Sequence, residues 1–579
     1  MKIKNCCKNC QRRGYFLLFS VLIAAFLITT RLWVLQIKDH NYWISFSEKQ
    51  RKTTLKIASY RAPIVDRKGR IIAISVPSIS LYAFPRNIAQ EKKKAYAIEI
   101  AHQFGLNPKV IEEKLNKDLP FIWLARQLPQ PLSKPYSLKL QNVGIVAEPK
   151  RYYPALEVAA SAVGLVGTDS QGLSGIELFF NPLLAGERKQ VKYLKDARGH
   201  FIQTSSTSFQ HSPINREDLQ LTIDLFIQGV VYQALKNTVL KNKARSAIGI
   251  VLNARTQEVL AIEQYPSFNP NKGRVSSLNK LKNLAVQAAY EPGSVAKPLV
   301  FAAALEEKAV SLNQLINCEK GRFKVGRHII RDVHPERVLK ASDVVVRSSN
   351  IGMSKIGFQL GKEKLYYWLK KFGFGEKTGI EFKGESKGIL RNSSKWREID
   401  IATHSFGQGF SATAIQIAAA YATLVNGGFK VTPTLIKTRA KHFNPSRIIH
   451  KSTSDIIRIV LQQVVSEEHG TGGKAKLNLK GIVVGGKTGT AQKVKEHGRG
   501  YAKGKFFSSF VGFVDEAEDL GLLDPVVILV SVDEPKAGAF YGGAVAAPAF
   551  KEIAEQIIPY LLATSKVEEI NSKRSRLSL

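Results

Sequence analysis

The sequence predicts an α+β protein in three parts: an N-terminal transmembrane helix, a mixed α/β module, and a larger domain in which helices flank an antiparallel sheet. Three observations lead to this prediction. An uncharged apolar run follows a basic N-terminus, strand and helix patterns are mixed up to about residue 215, and strand patterns at both ends of the remaining chain enclose a helical middle. At 579 residues the chain is too long for a single hydrophobic core.

The N-terminus predicts a single-pass membrane anchor. Residues 1–13 contain five Lys or Arg side chains, and residues 14–37 carry no charge apart from Arg31. A bilayer core is crossed by about 20 helical residues, and a basic flank favours the cytoplasmic side. We therefore expect a cytoplasmic tip at 1–13, an uncleaved transmembrane helix at 14–37 and an exported body. A cleaved signal peptide is the competing interpretation, but no small-residue cleavage site follows the apolar run.

Residues 40–215 are expected to form a mixed α/β domain. The stretch RAPIVDRKGRIIAISV, which begins at Arg61, predicts two short strands around a turn at residues 67–69. The pattern from Gln90 to Leu119 is helical, and residues 151–167 predict a helix between a Pro start and a Gly stop. We find no combination of acid, base and nucleophile in this module.

Residues 216–563 are expected to form the second domain. A short strand, an Asp224 cap and an amphipathic helix open it, and the segment 246–266 alternates like a β-hairpin. Helical patterns dominate from residue 287 to about 440, and strands return from residue 482 before a last amphipathic helix. The two ends therefore predict one antiparallel sheet with helices packed on it. The basic tail, residues 564–579, is expected to be disordered.

The composition limits the classes of partner. The chain has 85 Lys and Arg residues against 47 Asp and Glu, a formal net charge of +38, which suits an anionic polymer or membrane surface. We find no nucleic-acid-binding signature and no metal-binding His spacing, so we expect neither nucleic acid nor a metal or other cofactor. Cys318 is the only cysteine of the predicted exported part and has no partner there for a disulfide.

Candidate catalytic residues occur as three short motifs. Ser294 and Lys297 begin an apolar helix, where a spacing of three residues places both side chains on one face. A neutral Lys can deprotonate a Ser hydroxyl, and burial or a second cation lowers the Lys pKa as this requires. A competing Ser-x-x-Lys at Ser277 is not followed by an apolar helix. The second motif, Ser348 and Asn350, lies between two apolar helical segments.

The third motif, Lys-Thr-Gly, occurs twice. Lys487, Thr488 and Gly489 follow an apolar strand, and Thr490 falls on the same strand face as Thr488. The triplet that begins at Lys377 follows the Gly-punctuated end of a helix instead. Taken singly each motif fits a cap or a turn, but the ordered set is the signature of serine β-lactamases and penicillin-binding proteins.

The chain resembles the class B penicillin-binding proteins, and among them the septal D,D-transpeptidases of peptidoglycan. The resemblance covers almost the whole chain, and Ala62 departs from the family's Gly at that position. It rests on these stretches: RAPIVDRKGR, RYYP, GLSGIE, LTIDLFIQ, YPSFNPN, YEPGSVAK, RSSN, SFGQGFSATAIQIAAAYATLVNGG, GGKTGTAQ and DEPKAGAFYGGAVAAPAF. The FGQGFSAT stretch and the last of these look more like septal than side-wall enzymes.

The resemblance implies a role for each motif residue. Ser294 would be the nucleophile and Lys297 the general base, with Ser348 relaying a proton and Asn350 positioning Lys297. Lys487 would supply a cation beside Ser348. Thr488, Gly489 and Thr490 would form the substrate-binding edge, the two hydroxyls holding the substrate carboxylate and the N–H groups of Ser294 and Thr490 forming an oxyanion hole.

The same resemblance implies the partners and the location. Peptidoglycan stem peptides would be the substrates, and β-lactams would bind covalently as their mimics. A polytopic septal glycosyltransferase and other division proteins would be partners at the cytoplasmic membrane of a bacterium, with the catalytic domain in the periplasm or outside the membrane. The alternatives are a side-wall elongation enzyme, a catalytically dispensable division scaffold or β-lactam sensor, a β-lactamase, and a bifunctional class A protein, for which residues 40–215 show no glycosyltransferase motif.

Overall fold

The computed structural model describes residues 3–57, 60–129, 138–185, 189–195, 201–202, 217–273, 277–437, 446–495, 500–516 and 524–577. Its first helix, Ile3–Trp33, continues as a π-helical segment, Val34–Lys38, which the helix His40–Arg51 follows. Among these residues, Cys10–Lys38 is the one helical stretch long and apolar enough to cross a membrane. This helix contains the predicted anchor, residues 14–37.

The chain divides into two compact units. The first comprises Met1–Ser59, Pro77–Lys150 and Glu187–Pro213, and the second comprises Tyr60–Val76, Arg151–Gly186 and Ile214–Leu579. Two segments of the predicted N-terminal module, Tyr60–Val76 and Arg151–Gly186, belong to this second unit.

After its N-terminal helices, the first unit contains strands of two small sheets and two further helices. Strand Ile122–Pro129 pairs antiparallel with the later residues of strand Ile71–Ala83, and helices Gln90–Phe104 and Pro108–Leu115 share their apolar core. Both helices lie within the predicted helical stretch. Pro108 is the first residue of the second helix, a position at which the backbone N–H makes no hydrogen bond within the helix, so its absence in proline costs nothing. A separate antiparallel sheet is formed by Lys52–Ile57, Lys189–Lys195 and Phe201–Ile202.

The N-terminal segments of the second unit contain short elements. Strand Ile64–Val65 pairs antiparallel with the start of Ile71–Ala83 and parallel with Leu219–Gln220. The helix predicted within residues 151–167 is shorter than expected, Ala160–Val163, because Gly164 adopts φ 83° and ends it. The other short helices here are Gly175–Phe179 and Asn181–Leu184.

The centre of the second unit is a five-stranded antiparallel sheet, as the sequence predicted. Its strand order is Val259–Tyr265, Ser246–Asn253, Val526–Asp533, Tyr501–Glu516, Ile482–Val494, so the two ends of the domain meet in one sheet. Alternate residues face opposite sides of a strand. Phe510 and Val530 accordingly belong to one apolar core and Val511 and Leu529 to another.

Helices cover both faces of this sheet, and the predicted α+β class is confirmed. Helix Leu225–Asn242, which the Asp224 side chain caps as predicted, packs with the last helix, Gly542–Leu577, on one face. The Lys297–Glu306, Ala414–Val425 and Lys451–Ser466 helices contribute to the core on the other face. Among the described residues, further helices of this unit are Ala341–Val346, Asn350–Leu360, Lys362–Lys371 and Glu398–Ser405.

The structure differs from the sequence-based expectation in two places. The last helix continues to Leu577 and so runs through most of the tail expected to be disordered, since residues 565–577 contain neither Pro nor Gly to end it. A hairpin of strands Arg322–Val325 and His328–Arg331 lies within the region expected to be helical. Its tight turn contains Gly326 at φ 55°, a conformation suited to glycine.

Candidate functional site

Ser294 and Lys297 lie where a tight turn becomes a helix. Residues Gly293–Ala296 form a 3-10 turn, and the helix Lys297–Glu306 continues from it without a break. Gly293 has φ 60°, which turns the chain into this element. Lys297 is fully buried, whereas Ser294 is half-buried and lines a cavity. The sequence therefore folds locally as predicted, with the serine accessible and the lysine behind it.

The ammonium group of Lys297 connects the first motif with the second. Its Nζ donates to the Ser348 carbonyl at 2.6 Å, to Ser348 Oγ at 3.1 Å and to Asn350 Oδ1 at 2.9 Å. Ser348 adopts φ 63°, a left-handed conformation that costs a non-glycine residue energy and turns its carbonyl and hydroxyl to the same partner. No hydrogen bond joins Lys297 to Ser294 in the part of the chain that the structure describes.

The third motif lies on the edge strand Ile482–Val494, next to the Ser294 turn. A Cβ on Gly489 would lie 2.9 Å from Val295 Cγ1 and 3.2 Å from the Pro292 carbonyl, so the strand reaches the turn only because residue 489 has no side chain. A Cβ on Gly485 would similarly lie 2.9 Å from the backbone nitrogen of Gln462. At both positions the absence of a side chain allows another part of the chain to approach closely.

The polar side chains of this strand have identified partners. Lys487 is fully buried, and its Nζ lies 3.4 Å from Thr471 Oγ1 and from Thr488 Oγ1. Thr488 donates to Thr471 Oγ1 at 2.8 Å, and Thr490 Oγ1 accepts the Gly542 N–H at 3.1 Å. Both Thr488 and Thr490 line the same cavity as Ser294, as their shared strand face predicts.

The electrostatic setting favours a neutral lysine. Burial lowers the pKa of Lys297 from 10.5 to about 7, although the negative charge of Asp332 opposes this shift. Burial, and then the neighbouring charge of Lys297, hold the pKa of Lys487 well below its usual value. An uncharged fraction of Lys297 is therefore present at neutral pH, which is the state that can accept a proton from a hydroxyl.

The competing motifs have structural roles. The backbone N–H groups of Thr378 and Gly379 donate to the carboxylate of Glu385, and Lys377 is exposed in this loop. Ser277 accepts the Asn279 N–H and so caps a short turn, which is the ordinary role of serine there. Neither motif lines the cavity that contains Ser294.

The motif residues surround a cavity of about 990 Å³. Ser294, Ser348, Asn350, Thr488 and Thr490 line it, and the two buried lysines lie behind this wall. Within the described residues, no group of three or more His, Cys, Asp or Glu side chains is placed to hold a metal ion. The cavity thus presents hydroxyl and amide groups, and both Ser294 and Ser348 are half-buried in its wall.

Sequence reasoning missed two residues that contact the motifs. Asp332 follows the hairpin and accepts hydrogen bonds from Ser349 and from the backbone of Asn350 and Ile351. Thr471 lies in a Gly-rich turn and binds Lys487 and Thr488. No fixed spacing relates either residue to a motif, so only the folded chain reveals them.

Family comparisons agree with this geometry. Residues 247–555 match the penicillin-binding protein transpeptidase domain, and residues 56–221 match the penicillin-binding protein dimerisation domain. The chain is 32% identical to the probable peptidoglycan D,D-transpeptidase PenA of Neisseria gonorrhoeae, over 94% of this chain and 91% of the relative. It is 31% identical to the peptidoglycan D,D-transpeptidase FtsI of Escherichia coli K12, over 92% of this chain and 89% of the relative.

A solved structure gives the same result for the larger domain. The transpeptidase domain of penicillin-binding protein 3 from Burkholderia pseudomallei is 33% identical, with a TM-score of 0.52 over 59% of this chain and 96% of that one. The fold and the matches to both domain families define a penicillin-binding enzyme. The chain belongs to the class B penicillin-binding proteins, and it is a peptidoglycan D,D-transpeptidase with an N-terminal apolar helix consistent with a single-pass anchor.

Proposed function

We propose that this transpeptidase cross-links stem peptides during septal wall synthesis, through an acyl-enzyme formed on Ser294. One observation carries the catalytic assignment. Lys297, one turn beyond the accessible Ser294, is buried and bound to both residues of the Ser348–Asn350 motif. A serine beside a neutral lysine is an activated nucleophile.

The first half-reaction forms the acyl-enzyme. Ser294 Oγ attacks the carbonyl carbon between the two terminal D-alanines, while its proton passes to neutral Lys297. The tetrahedral intermediate then collapses, the C–N bond breaks, and the departing D-alanine amine receives a proton relayed by Ser348. To accept the proton from Ser294, Lys297 gives up one of its three bonds to Ser348 and Asn350.

The edge strand holds the substrate in this reaction. Thr488 and Thr490 bind the terminal carboxylate, and the N–H groups of Ser294 and Thr490 bind the oxyanion. The negative charge of the bound carboxylate favours the protonated form of Lys487, which then supplies positive charge beside Ser348. Gly489 supports this arrangement, since its missing side chain lets the strand approach the Ser294 turn. Loss of one oxyanion donor typically costs about 3 kcal/mol of transition-state stabilisation.

The second half-reaction releases the enzyme. An amino group of a neighbouring stem peptide attacks the ester carbon and gives up a proton to neutral Lys297. The new amide bond forms as the ester C–O bond breaks, and Lys297 passes that proton to Ser294 Oγ, which restores the hydroxyl. A β-lactam enters as a mimic of the D-Ala-D-Ala end. Its amide bond opens on Ser294, but the leaving nitrogen stays tethered, so the acyl-enzyme persists.

Fluorescent penicillin labelling tests the nucleophile. Mass spectrometry of the labelled protein should place the adduct on Ser294, and Ser294→Ala should not be labelled. Ser277→Ala is the matched control, since Ser277 also begins a Ser-x-x-Lys sequence but only caps a turn. Labelling of a folded Ser294→Ala protein, or an adduct on Ser348, would refute the assignment.

The septal role is supported by the likeness of two stretches, FGQGFSAT from Phe406 and DEPKAGAFYGGAVAAPAF from Asp533, to septal enzymes. Side-wall elongation is the alternative. Depletion in the source bacterium distinguishes them, because loss of septation gives filaments whereas loss of side-wall synthesis gives round cells. Complementation by Ser294→Ala would instead favour a scaffold or sensor role, in which acylation is dispensable.

The N-terminal helix supports the location of this protein at the cytoplasmic membrane. The basic tip before the helix favours a cytoplasmic N-terminus and an external catalytic domain. On this basis residues 40–215 form a pedestal domain and residues 216–563 the transpeptidase domain. A polytopic septal glycosyltransferase is the expected membrane partner, and co-purification of the full chain with one, lost when residues 14–37 are replaced by an unrelated span, tests it.

A further inference from the structure

Asp332 contacts the second motif through three hydrogen bonds. Its carboxylate accepts from Ser349 Oγ at 2.5 Å, from the Asn350 N–H at 2.5 Å and from the Ile351 N–H at 3.0 Å. These donors form the N-terminus of the helix Asn350–Leu360, where unpaired N–H groups favour a negative charge. Asp332 makes no ion pair with a Lys or Arg side chain among the described residues.

Asn350 connects Asp332 with Lys297, because it forms hydrogen bonds with both residues. While the Asn350 backbone binds Asp332, its side chain accepts from Lys297 Nζ at 2.9 Å and donates to the Arg331 carbonyl at 3.0 Å. Residues 331 and 332 thus hold both the backbone and the amide of Asn350. Ser348, which directly precedes this helix start, adopts a left-handed conformation at φ 63° that its surroundings must maintain.

Asp332 also acts on Lys297 by its charge. Lys297 interacts by charge with two groups here: the carboxylate of Asp332, from the turn after the hairpin, and the ammonium of Lys487, from the edge strand. Burial lowers the pKa of Lys297 to about 7, and Asp332 opposes that shift. Removal of the Asp332 charge must therefore lower the pKa of Lys297 further.

We propose that Asp332 is a positioning residue, which fixes the Ser348–Asn350 turn against Lys297 and supplies the compensating negative charge for that lysine. Asp332 directly follows the hairpin of strands Arg322–Val325 and His328–Arg331, which fixes its position next to the Ser348–Asn350 turn. The catalytic consequence rests on the proposed function of Lys297 as the base, whereas the charge effect does not.

Two substitutions separate position from charge. Asp332→Asn keeps an oxygen that accepts the helix N–H groups but removes the charge. Acylation by fluorescent penicillin, measured against pH with the full chain in detergent, should then begin to rise about one pH unit lower than in the wild type. Asp332→Ala removes both effects, so its maximal acylation rate should also fall by about 100-fold, as expected for a displaced catalytic group.

Glu336→Gln is the matched control, since Glu336 lies on the same loop but pairs with Arg347. It should leave the pH at which acylation rises unchanged. A lysine ¹⁵N titration, with Lys297 assigned from Lys297→Arg, measures the Lys297 pKa without any reaction and so separates this inference from the proposed function. An unchanged Lys297 pKa in Asp332→Asn, or wild-type rates in a folded Asp332→Ala, would overturn the proposal.

Discussion

Replacement of Glu177 by Gln is expected to destabilise the second unit strongly. Glu177 is fully buried between two arginines: its Oε2 accepts from Arg61 Nε at 2.9 Å and Nη2 at 2.7 Å, and its Oε1 accepts from Arg151 Nε at 2.7 Å. The side chains of Arg61 and Arg151 are only 1% and 4% exposed. One carboxylate thus compensates two guanidinium charges that water does not reach.

The magnitude follows from what remains after the substitution. Gln has nearly the same shape as Glu, so little packing is lost, but both arginine charges stay buried without their counterion. The amide NH₂ also replaces one acceptor oxygen and faces an arginine N–H donor. Removal of one partner from a buried ion pair typically costs about 3–5 kcal/mol. We expect a loss of this size for Glu177→Gln.

Urea denaturation of the full chain, followed by tryptophan fluorescence, measures the effect. A loss of about 3–5 kcal/mol should lower the urea midpoint of the second unit by 1 M or more, at about 1–3 kcal/mol per M for the slope. Asp455→Asn is the matched control, because it lies in the same unit and removes a Lys451 partner whose side chain is 49% exposed, and it should leave the midpoint unchanged. A Glu177→Gln midpoint equal to that of the wild type would refute the reasoning.

Four further outcomes are expected. Lys487→Ala should abolish fluorescent penicillin labelling, whereas the labelling of Lys377→Ala, which changes an exposed loop, should stay within a few-fold of the wild-type level. The reverse result in folded proteins would contradict the assignment of Lys487 to the active site. Gly542→Ala should impair folding and labelling, since its Cβ would lie 2.3 Å from the Ser509 carbonyl. Gly229→Ala, in a helix with open space at this position, should raise thermal stability by about 0.5–1 kcal/mol, and a loss would count against the packing described. Protease added outside spheroplasts should remove the body and spare the N-terminal tip, and recovery of a soluble form that lacks the anchor would indicate a cleaved signal peptide.

Local chemistry made much of this fold predictable. Apolar periodicity and turn residues gave the anchor helix, the hairpin of Ser246–Asn253 and Val259–Tyr265, and the late strands, while Asp224 marked a helix start. These features depend on neighbours within a few residues. Where local signals were weak they misled, as in the hairpin after Gly321 and the helix that continues to Leu577.

The sequence by itself determined the order of the three motifs and the position of Ser294 about one turn before Lys297, because these two residues are close along the chain. Only the tertiary structure decided what surrounds that pair. Ser348 and Asn350 reach Lys297 across 51 and 53 residues of chain, and Asp332 reaches Asn350 across 18. Such contacts follow from how helices pack on the sheet and from desolvation inside that packing, which no local pattern records.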